Sequence, residues 1–332
     1  MTAKPLIALA MGDPAGISPE LTAKLTVQDD IRAQSRLVVI GDRRIFDAGA
    51  RIAGVKPELT TVEQGVDLRA AEGEALFIDL GHLDPKEVEP KSATLAGGKF
   101  ALTNYKHALE LGRDGRADAV CFTPFNKQAM RLARAEYDDE IAFSAEVVGL
   151  ETAASEFNVL DRLWNARVTS HIPLKDVAGR LSSERIHRAL ELTDSCMRKA
   201  GFARPRIAVA GLNPHAGDGG NFGREEIDII APVVAAAQRQ GIAAEGPFPA
   251  DTVFLRAKGG AFDAVLTMYH DQGQIAMKLM GFDNGVTLHG GLPVPVATCA
   301  SGTAFDIVGR NVANSGGLEQ AFDLAARIAA RR

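Results

Sequence analysis

Cysteine is scarce in this chain of 332 residues: Cys121, Cys196 and Cys299 are the whole complement. Their number is odd and no Cys-x-x-Cys pair occurs, so neither a disulfide framework nor a thiolate zinc site is supported. Long apolar runs are missing too. No stretch approaches the ~20 residues that a membrane-spanning helix requires. The first apolar run, Leu6–Met11, ends in Gly12-Asp13-Pro14 rather than in a small-residue cleavage site. It therefore reads as a buried strand, not a signal peptide, and the cytoplasm is the expected location. The formal net charge is −5 and no basic patch is interleaved with aromatics, which argues against a nucleic-acid partner. A Gly-x-Gly-x-x-Gly fingerprint and a His-Glu-x-x-His pair are both absent. A Rossmann reading of the first turn therefore has little support, and so does a helix-borne zinc site.

What is present is an alternation of short apolar runs with longer amphipathic ones. The strand candidates are Leu6–Met11, Leu37–Ile40, Ala75–Leu80, Ala117–Phe122, Ala166–Thr169, Ile207–Ala210 and Ala264–Met268. Most are continuously apolar, as strands covered on both faces of a parallel sheet must be. The helix candidates are Pro19–Leu25, Phe100–Leu111, Lys127–Ala135, Glu184–Lys199, Glu225–Gln240 and Leu318–Ala330. The pattern is that of an α/β protein. A chain this long exceeds what one core usually serves, so two domains are expected.

The chemistry-bearing residues follow strand candidates. Asp13, in Met11-Gly12-Asp13-Pro14-Ala15-Gly16, occupies the first βα turn, where helix N–H groups can face a ligand. Asn126 and Lys127 follow Phe122 and suit a carboxylate or hydroxyl, or else an ordinary helix cap. His171, His215 and His270 each come just after a strand candidate. In a parallel sheet those ends lie along one edge, and three neutral imidazoles there suit a divalent metal. Asp251 and Asp271 are candidates for orienting imidazoles or handling protons. Lys278 could neutralise an anionic substrate or exchange a proton. Gly302, Thr303 and Asp306 belong to a small-residue turn that reads either as a nucleotide cradle or as a capped helix start. His82, His107 and His187 read as surface or solvated residues.

Taken in order, MGDPAGISPE, TPFNK, SHIPL, GLNPHAGDGGNFGREE, GPFPADT, MYHDQG, KLMGF and GTAFDI closely resemble the motifs of the PdxA family, 4-hydroxythreonine-4-phosphate dehydrogenase and its relatives. The resemblance covers nearly the whole chain. It implies an isocitrate/isopropylmalate dehydrogenase-like fold of two α/β/α domains around a cleft. Residues 1–125 with 290–332 would form one domain. Residues 126–289 would form the other, carrying the metal ligands and the dimer contacts. The resemblance further implies a homodimer whose metal site takes histidines from both subunits, with His171, His215 and His270 as ligands and Lys278 binding substrate. The implied cofactors are NAD or NADP and a divalent metal such as Zn, Mg, Mn, Co or Ni.

The chain also departs from the family pattern. The Gly-His-Thr-Glu substrate motif should fall near residues 141–148, where the chain reads IAFSAEVV without a histidine. No cation stands in Leu292–Thr298, where an arginine is expected. Thr287 and Ser301 replace an asparagine and a histidine, and His289 is additional. Phosphate recognition favours arginine forks. Loss of substrate residues with retention of the metal ligands points to conserved chemistry on a changed substrate. The expected activity is metal-dependent oxidation of a secondary alcohol in a hydroxy acid, with decarboxylation. The substrate would be 4-phosphohydroxy-L-threonine, an erythronate or threonate phosphate, or a non-phosphorylated cis-dihydrodiol carboxylate. A metal-binding protein without turnover is the alternative of another class.

Overall fold

The computed structural model describes residues 4–150, 154–281 and 284–331; Phe282 of the KLMGF motif lies outside them. The chain forms two compact α/β units, Met1–Ala154 with Val286–Ala330, and Ser155–Gly285. In the first unit β1 (Leu6–Ala10) leads through α1 (Ser18–Thr26) and α2 (Asp29–Gln34) to β2 (Arg36–Gly41) and α3 (Arg43–Ala53). β3 (Thr60–Val62), β4 (Ala75–Asp79), α4 (Leu95–Arg113), β5 (Ala119–Phe122), α5 (Lys127–Ala133) and α6 (Glu140–Val148) follow. The second unit comprises β6 (Ser155–Leu160), β7 (Leu163–Arg167), α7 (Val177–Arg180), α8 (Ser183–Lys199) and β8 (Ile207–Ala210). It continues with α9 (Ala231–Arg239), β9 (Ala244–Phe248), α10 (Ala250–Lys258), β10 (Ala264–Thr267) and α11 (His270–Leu279). The chain then returns to the first unit as β11 (Val286–Gly290), β12 (Val296–Cys299) and α12 (Gly316–Ala329).

Strands of the first unit run in the order β3-β4-β2-β1-β5-β12-β11. All neighbours are parallel except β11 and β12. β1 shows why: all five of its side chains are buried, so both faces of the sheet must be covered. In the second unit the order is β6-β7-β10-β8-β9. There β6 and β7 form an antiparallel hairpin, and the remaining pairs are parallel. β8 and β10 are buried throughout, with Val253, Phe254 and Ala257 of α10 and Met277 of α11 packed on them. Among the described residues no helix is long and apolar enough to cross a membrane.

Residues 126–154 lie with the first unit, whereas the family resemblance put a boundary at 126. The reason is apolar. Met130 of α5 and Phe143 and Val148 of α6 share a core with Tyr105 of α4 and Phe122 of β5. The α4–α5 contact is close enough to require glycine. A Cβ at Gly98 would sit 1.9 Å from the Ala129 carbonyl oxygen. Gly98→Ala should therefore destabilise the protein by ~1–3 kcal/mol through overpacking, against the gain in helix propensity. Thermal melts check this, and an unchanged or raised Tm would contradict the packing described.

Candidate active site

The strand order β7-β10-β8 places three parallel carboxyl ends side by side, and each carries one of the expected histidines. His171 lies four residues beyond β7, His215 five beyond β8, and His270 opens α11 just after β10. Side chains tie these ends together. The Thr169 hydroxyl donates to the Met268 carbonyl at 2.7 Å, and the Thr169 amide donates to the same oxygen at 3.2 Å. Gln272 then links β10 to β8. Its Oε1 accepts from the Met268 amide at 2.7 Å, and its Nε2 donates to the Gly211 carbonyl at 2.7 Å. Gly273, one residue on, lies so close to Asn165 that a Cβ would meet its Oδ1 at 2.2 Å. Gln272 stands inside the MYHDQG motif and Thr169 just before SHIPL, but nothing in their type announces a bridging role.

The loop that carries His215 has an unusual backbone. His215 (φ 52°), Ala216 (φ 52°), Gly217 (φ 82°), Asp218 (φ 44°) and Gly219 (φ 66°) are all left-handed. For a non-glycine residue that region costs ~1–2 kcal/mol, so the loop needs external support. Glu226 supplies it. Its buried carboxylate accepts from the Leu212 amide (2.7 Å), the Asn213 amide (2.8 Å) and Asn213 Nδ2 (2.9 Å). Hydrogen bonds to a charged group are each worth ~1.5–3 kcal/mol, enough to offset the strain. His171 is also left-handed, with φ 50°.

The His171 and His270 rings approach with centroids 5.5 Å apart, tilted by 42°. Metal–imidazole bonds of ~2.0–2.1 Å put the centroids of two rings sharing a tetrahedral ion about 5 Å apart, close to the separation of this pair. Asp271 Oδ1 lies 2.7 Å from His270 Nδ1. With the carboxylate accepting, Nδ1 carries the proton and Nε2 presents its lone pair, the usual brace for a ligating histidine. His215 is not grouped with them. Its ring contact is with Phe222, centroids 6.2 Å apart, and among the described residues no three His, Cys, Asp or Glu side chains are arranged to hold a metal. One chain thus brings together two of the three expected donors. Asp251 is exposed in the first turn of α10 and makes no hydrogen bond with these histidines among the described residues. Lys278 is exposed in the last turn of α11. It is eight residues from His270, about 12 Å along the helix axis. Of the other histidines, His82 stacks on Phe100 and His187 hydrogen-bonds with Gln240 Oε1 at 2.6 Å.

The first unit has its own edge, formed by the carboxyl ends of β1, β5 and β12. Asp13 follows β1 and is buried. Its Oδ1 accepts from the Ala15 amide at 2.9 Å, while Oδ2 has no hydrogen-bond partner among the described residues. Asn126 caps α5 by accepting from the Ala129 amide at 3.0 Å, which is the capping alternative. Lys127 pairs with Glu140 at 3.5 Å. The Gly302–Asp306 stretch forms an irregular turn rather than a helix start. The Thr303 carbonyl accepts from the Ile17 amide at 3.1 Å, next to Gly16, whose Cβ would lie 2.8 Å from Thr303. Two motifs far apart in sequence therefore meet at the start of α1. Gly302 has no atom within 4 Å of where its Cβ would be, so a ligand could approach its backbone closely.

Residues 141–148 fall on α6, and Ser144 there is buried. Its hydroxyl donates to the Glu140 carbonyl at 2.6 Å, contacts the Tyr105 hydroxyl and lies 3.5 Å from His289 Nδ1. The additional histidine is thus packed inside, against Phe122, with ring centroids 5.8 Å apart. Thr287 pairs with Thr298 in the β11–β12 ladder, and Ser301 is exposed.

Burial pushes the Asp13 carboxyl up to about 6 from the usual 3.8, partly offset by the Ala15 N–H. The folded pKa lies above the unfolded one, so the protonated form favours folding. That contribution is full below the unfolded pKa and is lost as pH rises through about 6. From about pH 4 to pH 7 the wild type should lose roughly 2 kcal/mol of stability relative to Asp13→Asn. Denaturant titrations across that range measure it, and parallel profiles would contradict the desolvated carboxyl.

The profile described as "Pyridoxal phosphate biosynthetic protein PdxA" matches residues 33–325. A Rhizobium meliloti protein named "Putative 4-hydroxythreonine-4-phosphate dehydrogenase 2" is 59% identical over 99% of this chain and 94% of its own length. Among solved structures, a 4-hydroxythreonine-4-phosphate dehydrogenase from Klebsiella pneumoniae aligns with TM-score 0.84 and 35% identity, over 99% of both chains. A terephthalate 1,2-cis-dihydrodiol dehydrogenase from Burkholderia xenovorans aligns with TM-score 0.70 and 28% identity, over 98% of both. By sequence and by fold, the chain belongs to the PdxA family of dehydrogenases.

Proposed function

We propose that this oxidoreductase oxidises the secondary alcohol of a small hydroxy-acid phosphate, using NAD or NADP and a divalent metal held by His171, His215 and His270. The observation that carries this reading is the His171–His270 pair, with Asp271 bracing His270, at adjacent strand ends. When bound, the metal and the nicotinamide supply Lewis acidity toward the substrate hydroxyl and a hydride acceptor.

The chain's own residues do the rest. His171 and His270 hold one side of the metal, and His215 completes the set from the second copy in a homodimer. That arrangement accounts for only two donors meeting within one chain among the described residues. Asp271 keeps the His270 Nε2 lone pair directed outward. Lys278, Asp251 and Asp271 are the groups available to accept the hydroxyl proton. Lys278, on the exposed face of α11, also suits the substrate carboxylate. Asp13, Asn126 and Lys127 are further candidates for substrate contacts. Gly302, Thr303 and Asp306 offer an accessible turn to the dinucleotide. Where a carboxylate lies β to the new ketone, carbon dioxide leaves.

A second reading concerns the substrate. Leu292–Thr298 has no cation, and α6 presents Ser144 within an aromatic cluster rather than a histidine. Both features favour a non-phosphorylated hydroxy acid such as a cis-dihydrodiol carboxylate over a phosphate ester.

His215→Ala should remove bound metal and NAD(P) reduction together, measured by elemental analysis and NAD(P)H absorbance. An active, metal-free variant would sink the ligand assignment. In a screen of 4-phosphohydroxy-L-threonine, erythronate and threonate phosphates and cis-dihydrodiol carboxylates, turnover of a phosphate ester supports the first reading. Turnover of the dihydrodiol alone supports the second. No turnover by metal-loaded enzyme on any of them contradicts both.

A further inference from the structure

We propose that Glu226 is the positioning residue for His215, fixing where the imidazole is presented to the metal; this rests on the metal-site reading above. Glu226 begins a π-helical turn, Glu226–Ile230, that runs into α9. Such turns shift a side chain out of α-helical register and recur at functional sites. Here the turn carries a carboxylate into the concave side of the histidine loop. Both ends of that loop close on it. A Cβ at Gly211 would lie 3.0 Å from Glu226 Oε1, and one at Gly217 would lie 2.7 Å from Oε2.

Among the described residues, every hydrogen bond the carboxylate accepts comes from the loop's first residues, Leu212 and Asn213. Asn213 Nδ2 also donates to Glu225 Oε2 at 2.7 Å, so two adjacent glutamates grip one side chain. From Asn213 the chain passes through Pro214 directly into left-handed backbone at His215. A run containing three left-handed non-glycine residues does not hold itself. With the carboxylate gone, the Leu212 and Asn213 amides would have to seek other acceptors and the loop would relax. Glu226 makes no hydrogen bond to the histidine itself, so its effect passes through the backbone. The glutamine variant keeps one carbonyl oxygen for the two amides but turns an NH2 toward the NH2 of Asn213. It should therefore restore the loop only in part.

The test is calorimetric titration of the apo enzyme with Co2+, at a temperature where circular dichroism shows each variant folded. Glu226→Ala should weaken Co2+ binding ~10–100-fold, the range for residues that orient metal ligands. Glu226→Gln should fall between it and the wild type, and His215→Ala should bind more weakly than either. A role in folding alone would lower the apo Tm and leave the affinity of folded protein unchanged. Wild-type affinity in Glu226→Ala, beside a defective His215→Ala, would overturn the positioning role and leave the metal site standing. Wild-type affinity in His215→Ala would overturn the site and this inference together. If Glu226→Ala does not fold, Glu226→Gln decides by the same comparison.

Discussion

The backbone of Met268 is the point on which the second unit's site depends. Its carbonyl receives both the hydroxyl and the amide of Thr169, and its amide is taken by Gln272, which also reaches the Gly211 carbonyl. One residue at the end of a central buried strand is thereby bound to the ends of both neighbours. Parallel pairing alone would align β7, β10 and β8 but would leave the segments beyond them free. These side-chain bonds carry the order a few residues further, to His171, His215 and His270. Ligand geometry has to hold within a fraction of an ångström for metal binding, and residues braced by a surrounding network meet that demand.

The two units contribute different chemistry. The second presents three histidines at neighbouring strand ends, two of them, His171 and His215, on left-handed backbone. The first presents a desolvated carboxylate, Asp13, and an accessible turn at Gly302–Thr303, both next to the start of α1. The contrast with the α6 region is physical. There the polar groups of Tyr105, Ser144 and His289 are packed among Phe122, Phe125 and Phe143. The departures from the family motifs fall on α6 and in Leu292–Thr298, whereas the three histidines of those motifs are present.

The buried parallel strands were legible because their apolar runs are continuous: Leu6–Met11 and Ile207–Ala210 match β1 and β8 closely. β11 and β12 were not, since an antiparallel pair holding Thr287, His289 and Thr298 lacks that signature. α11 was hidden by Gly273, a poor helix former that is required there by Asn165. The strand-end rule located the three histidines, and the strand order made their ends neighbours. That rule could not give Glu226 a role. The residue closes the GLNPHAGDGGNFGREE motif, but only the fold shows its carboxylate bonded to a loop more than ten residues earlier. The first unit extends past the expected division at residue 126 for a similar reason, because the packing of Phe143 and Val148 is a tertiary fact.

In the proposed function the three histidines form one metal centre shared between two copies of the chain. Mixing the inactive variants His215→Ala and His270→Ala under conditions that exchange subunits tests it directly. If the site is shared, each mixed dimer has one intact site and one doubly defective site. The mixture should then recover about a quarter of wild-type metal-dependent NAD(P) reduction. If every ligand came from a single chain, no mixed dimer would hold an intact site. Activity would then stay at the level of the separate variants, and the account would be wrong.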